Sequence, residues 1–351
     1  MKKSAALFLL ALLAFGCKKD DDKSDEALIL NFSVTAIDIV DFETRDILID
    51  EEKSIVSIFS ENYIDESEIP VSLTPSITVS VGASISPASG VPVTYTDKEE
   101  VIVYTVRAES GSEKTWHVYL RDNQLPNSDF EDWHEVTGLD NQTFLQPGME
   151  EVTTLWTTAN MGTSIYSIYG TIPLEDGDNT LVQLMTEEST MVPVNTATLF
   201  TGEFDINGAI QNPTDPEQAT KFGAPFVFRP GAVKIDFSYQ AGPEYIRATL
   251  NDPDNIFGGF NVENIAGADS CTIYGILEYR EGDSITEIAR ARVVAGDSGP
   301  ELSELIIPFV YESSLDPTHI TIVFASSVNG HYFTGAVGST LIIDNLELIY
   351  E

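Results

Sequence analysis

From Leu28 onward the chain reads as short runs in which apolar and polar residues alternate, broken about every 8–12 residues by turn-forming clusters. The first runs are ILNFSV, SIVSIF, SITVSV, VPVTY, VIVYTVRA and TWHVYL. In the fifth, Val101, Val103, Thr105 and Arg107 fall on one face, and Ile102, Tyr104, Val106 and Ala108 on the other. That period of two predicts a small antiparallel sandwich over residues 27–122. Asn123 to Asn127 (NQLPN) combine a proline with two asparagines and predict a hinge. Beyond it, over 125–351, come TLVQLM, ATLFTGEF, AVKIDFSYQ, CTIYGILEYR, IARARVV, ELIIPFVY, HITIVFA and TLIIDNLELIY, separated by breakers such as QNPTDP, FRPG and NDPDN. No stretch keeps a helical period. So many strands in one region predict a jelly-roll sandwich, and the fold class is all-β. LWTTANMGTS lacks alternation and reads as a loop.

The first residues follow another pattern. Lys2 and Lys3 precede an apolar stretch from Ala5 to Phe15, then Gly16-Cys17 and the charged run KKDDDK. So short an apolar segment predicts a signal peptide over 1–17 rather than a membrane span. Residues 18–26 (KKDDDKSDE) predict a solvated tether. The cysteine after the apolar segment resembles the lipobox of bacterial lipoproteins, although Ala14 stands where leucine is commonest. That resemblance implies that Cys17 is acylated and anchors the protein in the outer membrane. The lysines and acids beyond it resemble the surface-export signal of Bacteroidetes lipoproteins, which implies exposure on the cell surface.

Charge narrows the partners. There are 56 Asp plus Glu against 18 Lys plus Arg, a net charge of -38. Such a field repels polyphosphates and anionic surfaces, which argues against nucleic acid and favours neutral or cationic ligands and divalent cations. The chain is 42% hydrophobic, so it folds around cores rather than remaining an acidic disordered chain. With Cys17 acylated, Cys271 stands alone and no intramolecular disulfide forms.

The segment SITVSVGASISPASG, followed by VIVYTVRAESGSEKTWHVYL, resembles Ig-like domains found at the N-termini of Bacteroidetes surface lipoproteins. LPNSDFEDW, KFGAPFVFRPGAVKIDFSY and SSVNGHYFTGAVGSTLIIDNLELIY resemble the PCMD family, a carbohydrate-metabolism domain of Bacteroidetes lipoproteins. The likeness covers most of 125–351. It implies a jelly roll related to carbohydrate-binding modules and a link to glycans, without naming a reaction.

Two kinds of site are expected. In TLIIDNLELIY a regular strand places Ile342, Asp344, Leu346, Leu348 and Tyr350 on the core face, which makes Asp344 a buried carboxylate in need of a partner. In carbohydrate-binding jelly rolls the first and last strands hold a calcium ion. The resemblance implies Glu131 and Asp344 as ligands here, with Asn127 and Asp129 as helpers, and oxygen ligands suit Ca²⁺. For sugar, an exposed ring stacks on the apolar face of a pyranose while polar groups take the hydroxyls. Trp156, in the expected loop, is the predicted platform, with Asn160, Arg229, Tyr239 and Tyr245 as hydroxyl contacts.

Catalytic signals are poor. His117, His134, His319 and His331 show no zinc spacing, and no nucleophile elbow, P-loop or dinucleotide fingerprint occurs. The reading is a surface-anchored, non-catalytic accessory protein that binds a neutral glycan. The alternatives are a structural or adhesive surface protein without a small ligand and a carbohydrate-active enzyme of undescribed type.

Overall fold

The computed structural model describes residues 23–36, 43–149, 154–212, 218, 220–282 and 284–350. Cys17, the signal peptide and most of the tether lie outside the described residues. The architecture is all-β. In the first region a three-stranded sheet (Ile29–Ala36, Val71–Val79, Val93–Tyr95) faces a five-stranded one in the order Thr44–Asp50, Ile55–Ser60, Glu113–Arg121, Val101–Arg107, Ser84–Ser86. Its neighbours are antiparallel except Ile55–Ser60 beside Glu113–Arg121, which run parallel. Tyr104, Val106, Trp116 and Val118 fill the core between them, while Val103 is exposed, as the alternation predicts. The Trp116 indole N–H donates to the Ala27 carbonyl, so the ring is buried without stranding its polar atom.

In the second region two larger sheets enclose the main core. One has the strand order Trp156–Thr158, Thr198–Phe204, His319–Ala325, Cys271–Glu281, Ser284–Ala295, Val310–Tyr311. The other runs Thr171–Asp176, Asn179–Met185, Thr340–Ile349, Ala232–Gln240, Gly299–Pro308. AVKIDFSYQ shows why such a strand forms: Val233, Ile235, Phe237 and Tyr239 are buried at alternate positions, while Lys234 and Asp236 are only half-buried. They pack in one core with Ile273, Leu277, Ile322 and Phe324 of the facing sheet.

The last long strand departs from regular alternation. Leu341 and Ile343 are buried before a bulge opposite Lys234–Asp236, and Leu346 and Leu348 are buried after it. Asn345 sits at the break with φ 53°, and the extra residue moves the buried positions from odd to even. The expected uninterrupted face of Ile342, Asp344, Leu346, Leu348 and Tyr350 is therefore corrected at its start: Ile342 is not part of it.

Residues 123–127 do not behave as a free hinge. Gln124 donates from its amide to the Leu348 carbonyl and accepts from the Leu348 N–H, the Tyr350 hydroxyl donates to the Asn123 carbonyl, and Leu125 is buried. Phe59 of the first region packs edge-on against Phe228 at 6.0 Å and belongs to the main core. A third, small sheet (Phe260–Asn264, Tyr245–Leu250, Thr334–Ala336) covers a satellite core of Val192, Ala248, Ile256 and Phe333.

A candidate glycan-binding cleft

The strand Tyr245–Leu250 buries Ala248 in the satellite core, and Tyr245, Arg247 and Thr249 alternate with it on the opposite face. Facing them is the turn Gly330–Tyr332 with its flanking residues, and together they line a cleft of about 610 Å³. The turn ends in Phe333 at φ 51°, a left-handed conformation uncommon for an aromatic residue. Phe333 is buried, 5.0 Å from Phe260 in an edge-on contact, while the preceding Tyr332 stays 67% exposed. The His331 and Tyr332 rings lie 3.7 Å apart at 50°. Asn329 donates from its amide to the Tyr245 hydroxyl at 3.3 Å, and Arg247 approaches Glu263 at 3.4 Å. An exposed ring beside a guanidinium, an imidazole, an amide and hydroxyls is what stacking and hydrogen bonding to a polyhydroxyl ligand require.

A second cleft, of about 900 Å³, lies where the two regions meet. Lys98 sits 3.9 Å over the Tyr63 ring and 3.1 Å from Asp122. Glu99 accepts from the Asn127 N–H at 2.8 Å. Burial pushes the Glu99 carboxyl up despite the nearby Arg121, and burial with neighbouring Asp129 and Asp97 pushes Asp132 up.

Of the expected sugar ligands, one reaches an open cleft: Tyr245. Trp156 is 0% exposed and cannot be a platform; its indole N–H donates to the Pro126 carbonyl and its ring meets Phe130 at 5.3 Å. LWTTANMGTS escapes the alternation rule because its polar side chains are satisfied inside. Thr157 donates to the Gly202 carbonyl, and the Asn160 amide, 1% exposed, bonds both backbone groups of Thr171. Tyr239 is buried as well, its hydroxyl donating to the Ser326 carbonyl. Arg229 is consumed by the carbonyls of Ser313 and Leu315 and by the Tyr311 ring at 4.3 Å. Asn329, His331, Arg247 and Thr249 carried no sequence signal of their own, and Tyr332 was one aromatic among many.

Three of the four expected calcium ligands, Asn127, Glu131 and Asp344, accept or donate hydrogen bonds within the chain. Asp344 is 2% exposed, and Glu131 is near enough to help push its carboxyl up, after burial as the larger cause. Asp344 accepts from the Asn179 and Asn345 amides and the Asn345 N–H, and Glu131 accepts from the Thr180 N–H. Asn127 spends its amide on both backbone groups of Asp132, and Asp129 is exposed. Among the described residues no three Asp, Glu, His or Cys side chains gather to hold a metal.

A family model described as "Putative carbohydrate metabolism domain" (PCMD) matches residues 129–349. The chain belongs to the PCMD family. A second model, "SGBP, N-terminal", matches residues 29–120. Among solved structures, a putative glycoside hydrolase from Bacteroides thetaiotaomicron is 26% identical over 95% of this chain and 99% of its own, with a TM-score of 0.52. Another putative glycoside hydrolase, from Bacteroides vulgatus, is 23% identical over 64% of this chain and 97% of its own, also with a TM-score of 0.52. No curated relative matches the chain. The PCMD match contains every residue lining the 610 Å³ cleft.

Proposed function

We propose that this PCMD protein is a glycan-binding accessory protein of the cell surface, held to the outer membrane by a lipid on Cys17. The 610 Å³ cleft takes one or two units of a neutral glycan. The single observation that carries this reading is Tyr332, a large ring left 67% exposed at the edge of a cleft furnished with Tyr245, Arg247, Asn329 and His331. A sugar stacks its C–H face on Tyr332, and the polar groups take its hydroxyls. Affinity on the order of micromolar to millimolar fits so open a site. The test is a glycan-array screen of residues 24–351, followed by calorimetry of the best ligand with the Tyr332→Ala variant. Loss of binding in that variant supports the site, and unchanged binding refutes it. Cys17→Ala should move the protein from the membrane to the soluble fraction, and retention would refute the anchor.

One observation favours a hydrolytic reading: the cleft between the regions gathers carboxyls held up by burial and like charge, Glu99 and Asp132, beside Asp97 and Asp129. Glycoside hydrolysis needs one such protonated carboxyl and one ionised carboxylate across a bond. Release of reducing sugar that Glu99→Gln and Asp132→Asn both abolish would establish that reading over binding alone.

A further inference from the structure

The cleft wall that carries Asn329, His331 and Tyr332 is a loop whose two ends meet at one buried carboxylate. Asp269 is 1% exposed, and no cation stands within ion-pair distance of it among the described residues. Its Oδ2 accepts from the Ser327 hydroxyl, at the start of the loop, and from the Ala336 N–H at 2.8 Å, at its end. The Ser339 hydroxyl adds a third donor to that oxygen, and the N–H of Ser270 occupies Oδ1. Burial of a carboxylate is tolerated here because donors surround it. Ser327 accepts in turn from the Thr186 hydroxyl, which also meets Ser326 at 2.7 Å, so a line of hydroxyls is oriented by the one charge.

What Asp269 fixes bears on both walls. Ala336 pairs with Tyr245 and Thr334 with Arg247, so holding the Ala336 N–H sets the height of the strand that carries those two side chains. Ser327 sets where the opposite wall leaves the sheet. The loop is also seated closely: a Cβ on Gly330 would fall 1.8 Å from Thr196 Oγ1, and one on Gly335 2.7 Å from Ser327 Oγ. The wall therefore has one seated position, and the Asp269 carboxylate closes it.

We propose that Asp269 is the positioning residue of the glycan cleft, clasping the ends of the 327–336 loop so that Tyr332, His331 and Asn329 face Tyr245 and Arg247. The binding part of this inference rests on the function proposed above; the clasp itself does not. Asp269→Asn keeps size and one carbonyl oxygen but loses the charge and sets an amide donor against an N–H or hydroxyl donor.

Hydrogen exchange of the full chain tests the clasp without any ligand. In Asp269→Asn the amides of residues 328–336 should exchange at least about tenfold faster, as expected for a buried donor left unpaired. Those of Cys271–Glu281 and Ala232–Gln240 should keep their protection. Unchanged loop exchange, or equal loss of protection in every strand, overturns the proposal. If Asp269→Asn does not fold, Ser327→Ala removes the donor at the loop's first end, together with one partner of the Thr186 hydroxyl, which keeps Ser326, and should loosen 328–333 in a folded protein; an unaltered loop there also overturns it. With the array-derived glycan, Asp269→Asn should weaken binding about tenfold in wild type and by clearly less in a Tyr332→Ala background that retains measurable binding, because part of its effect acts through that ring. Additive losses would overturn the positioning role. A wild-type protein that binds no glycan yet shows the loop exchange response would sink the proposed function and leave the clasp standing.

Discussion

At the scale of single residues, exposure separates the rings that hold the fold from a ring free to meet a ligand at the cleft. Trp156 is enclosed by Phe130 and Phe324 and satisfied by Pro126, so Trp156→Ala should cost about 3–5 kcal/mol through the cavity and the lost contacts. Tyr332→Ala removes a ring that is mostly in water, and stability should change by no more than about 0.5 kcal/mol. Denaturant melts of the two variants check this, and comparable destabilisation by both would refute the assignment of Tyr332 as a free platform. The choice of Trp156 failed for a definable reason. Threonine and asparagine flanks signal a loop only when their polar groups face water, and here backbone carbonyls serve them instead.

At the scale of elements, the strand Thr340–Ile349 depends on one residue to change its phase. Asn345 takes up φ 53° and donates its amide to Asp236 and Asp344 across the bulge. Asparagine visits this conformation more readily than other side-chain-bearing residues, and a β-branched residue is strained there. Asn345→Val should therefore lower stability by about 2 kcal/mol, from strain together with lost hydrogen bonds. Asn345→Gly, free of the strain, should cost less. Equal melting temperatures for the two variants would refute a bulge held by backbone conformation.

At the scale of the whole molecule, the two regions are joined by more than a chain crossing. Lys53 pairs with Glu203 at 2.8 Å, Arg45 approaches Asp316 at 3.8 Å, and the Phe59–Phe228 contact lies beneath. Limited proteolysis should consequently spare residues 123–127 in the native protein and begin cutting there in Gln124→Ala, which loses both bonds to Leu348. Early cleavage of the wild-type linker would refute the pinned junction. His319 lies in the field of Lys53 and Asp50 from the first region, and burial with Arg280 and Lys53 pushes its imidazole down from 6.5 to about 4. Between those values the unfolded chain binds a proton that the folded one refuses, so this contribution is whole above pH 6.5 and is lost as pH falls toward 4. It amounts to about 3 kcal/mol at most. His319→Gln should flatten the acid side of the stability profile, and an unchanged profile would refute the assignment.

The sequence by itself determined the all-β class and the long strands with most of their buried faces, because period-two alternation is a local property that burial on one side of a sheet imposes residue by residue. Separate motifs, not that alternation, carried the likeness to the family. AVKIDFSYQ and CTIYGILEYR needed no neighbours to be recognised. Only the tertiary structure decided which aromatics stay in water, that the linker is pinned, and where Asn345 shifts the strand. It also brought Tyr245, in one strand, opposite Tyr332 on a loop more than eighty residues later, and set Asp269 beneath both. Those are outcomes of sheet pairing between distant segments, and no local pattern of apolar and polar residues encodes which distant carbonyl will satisfy a given threonine or which carboxylate will close a given loop.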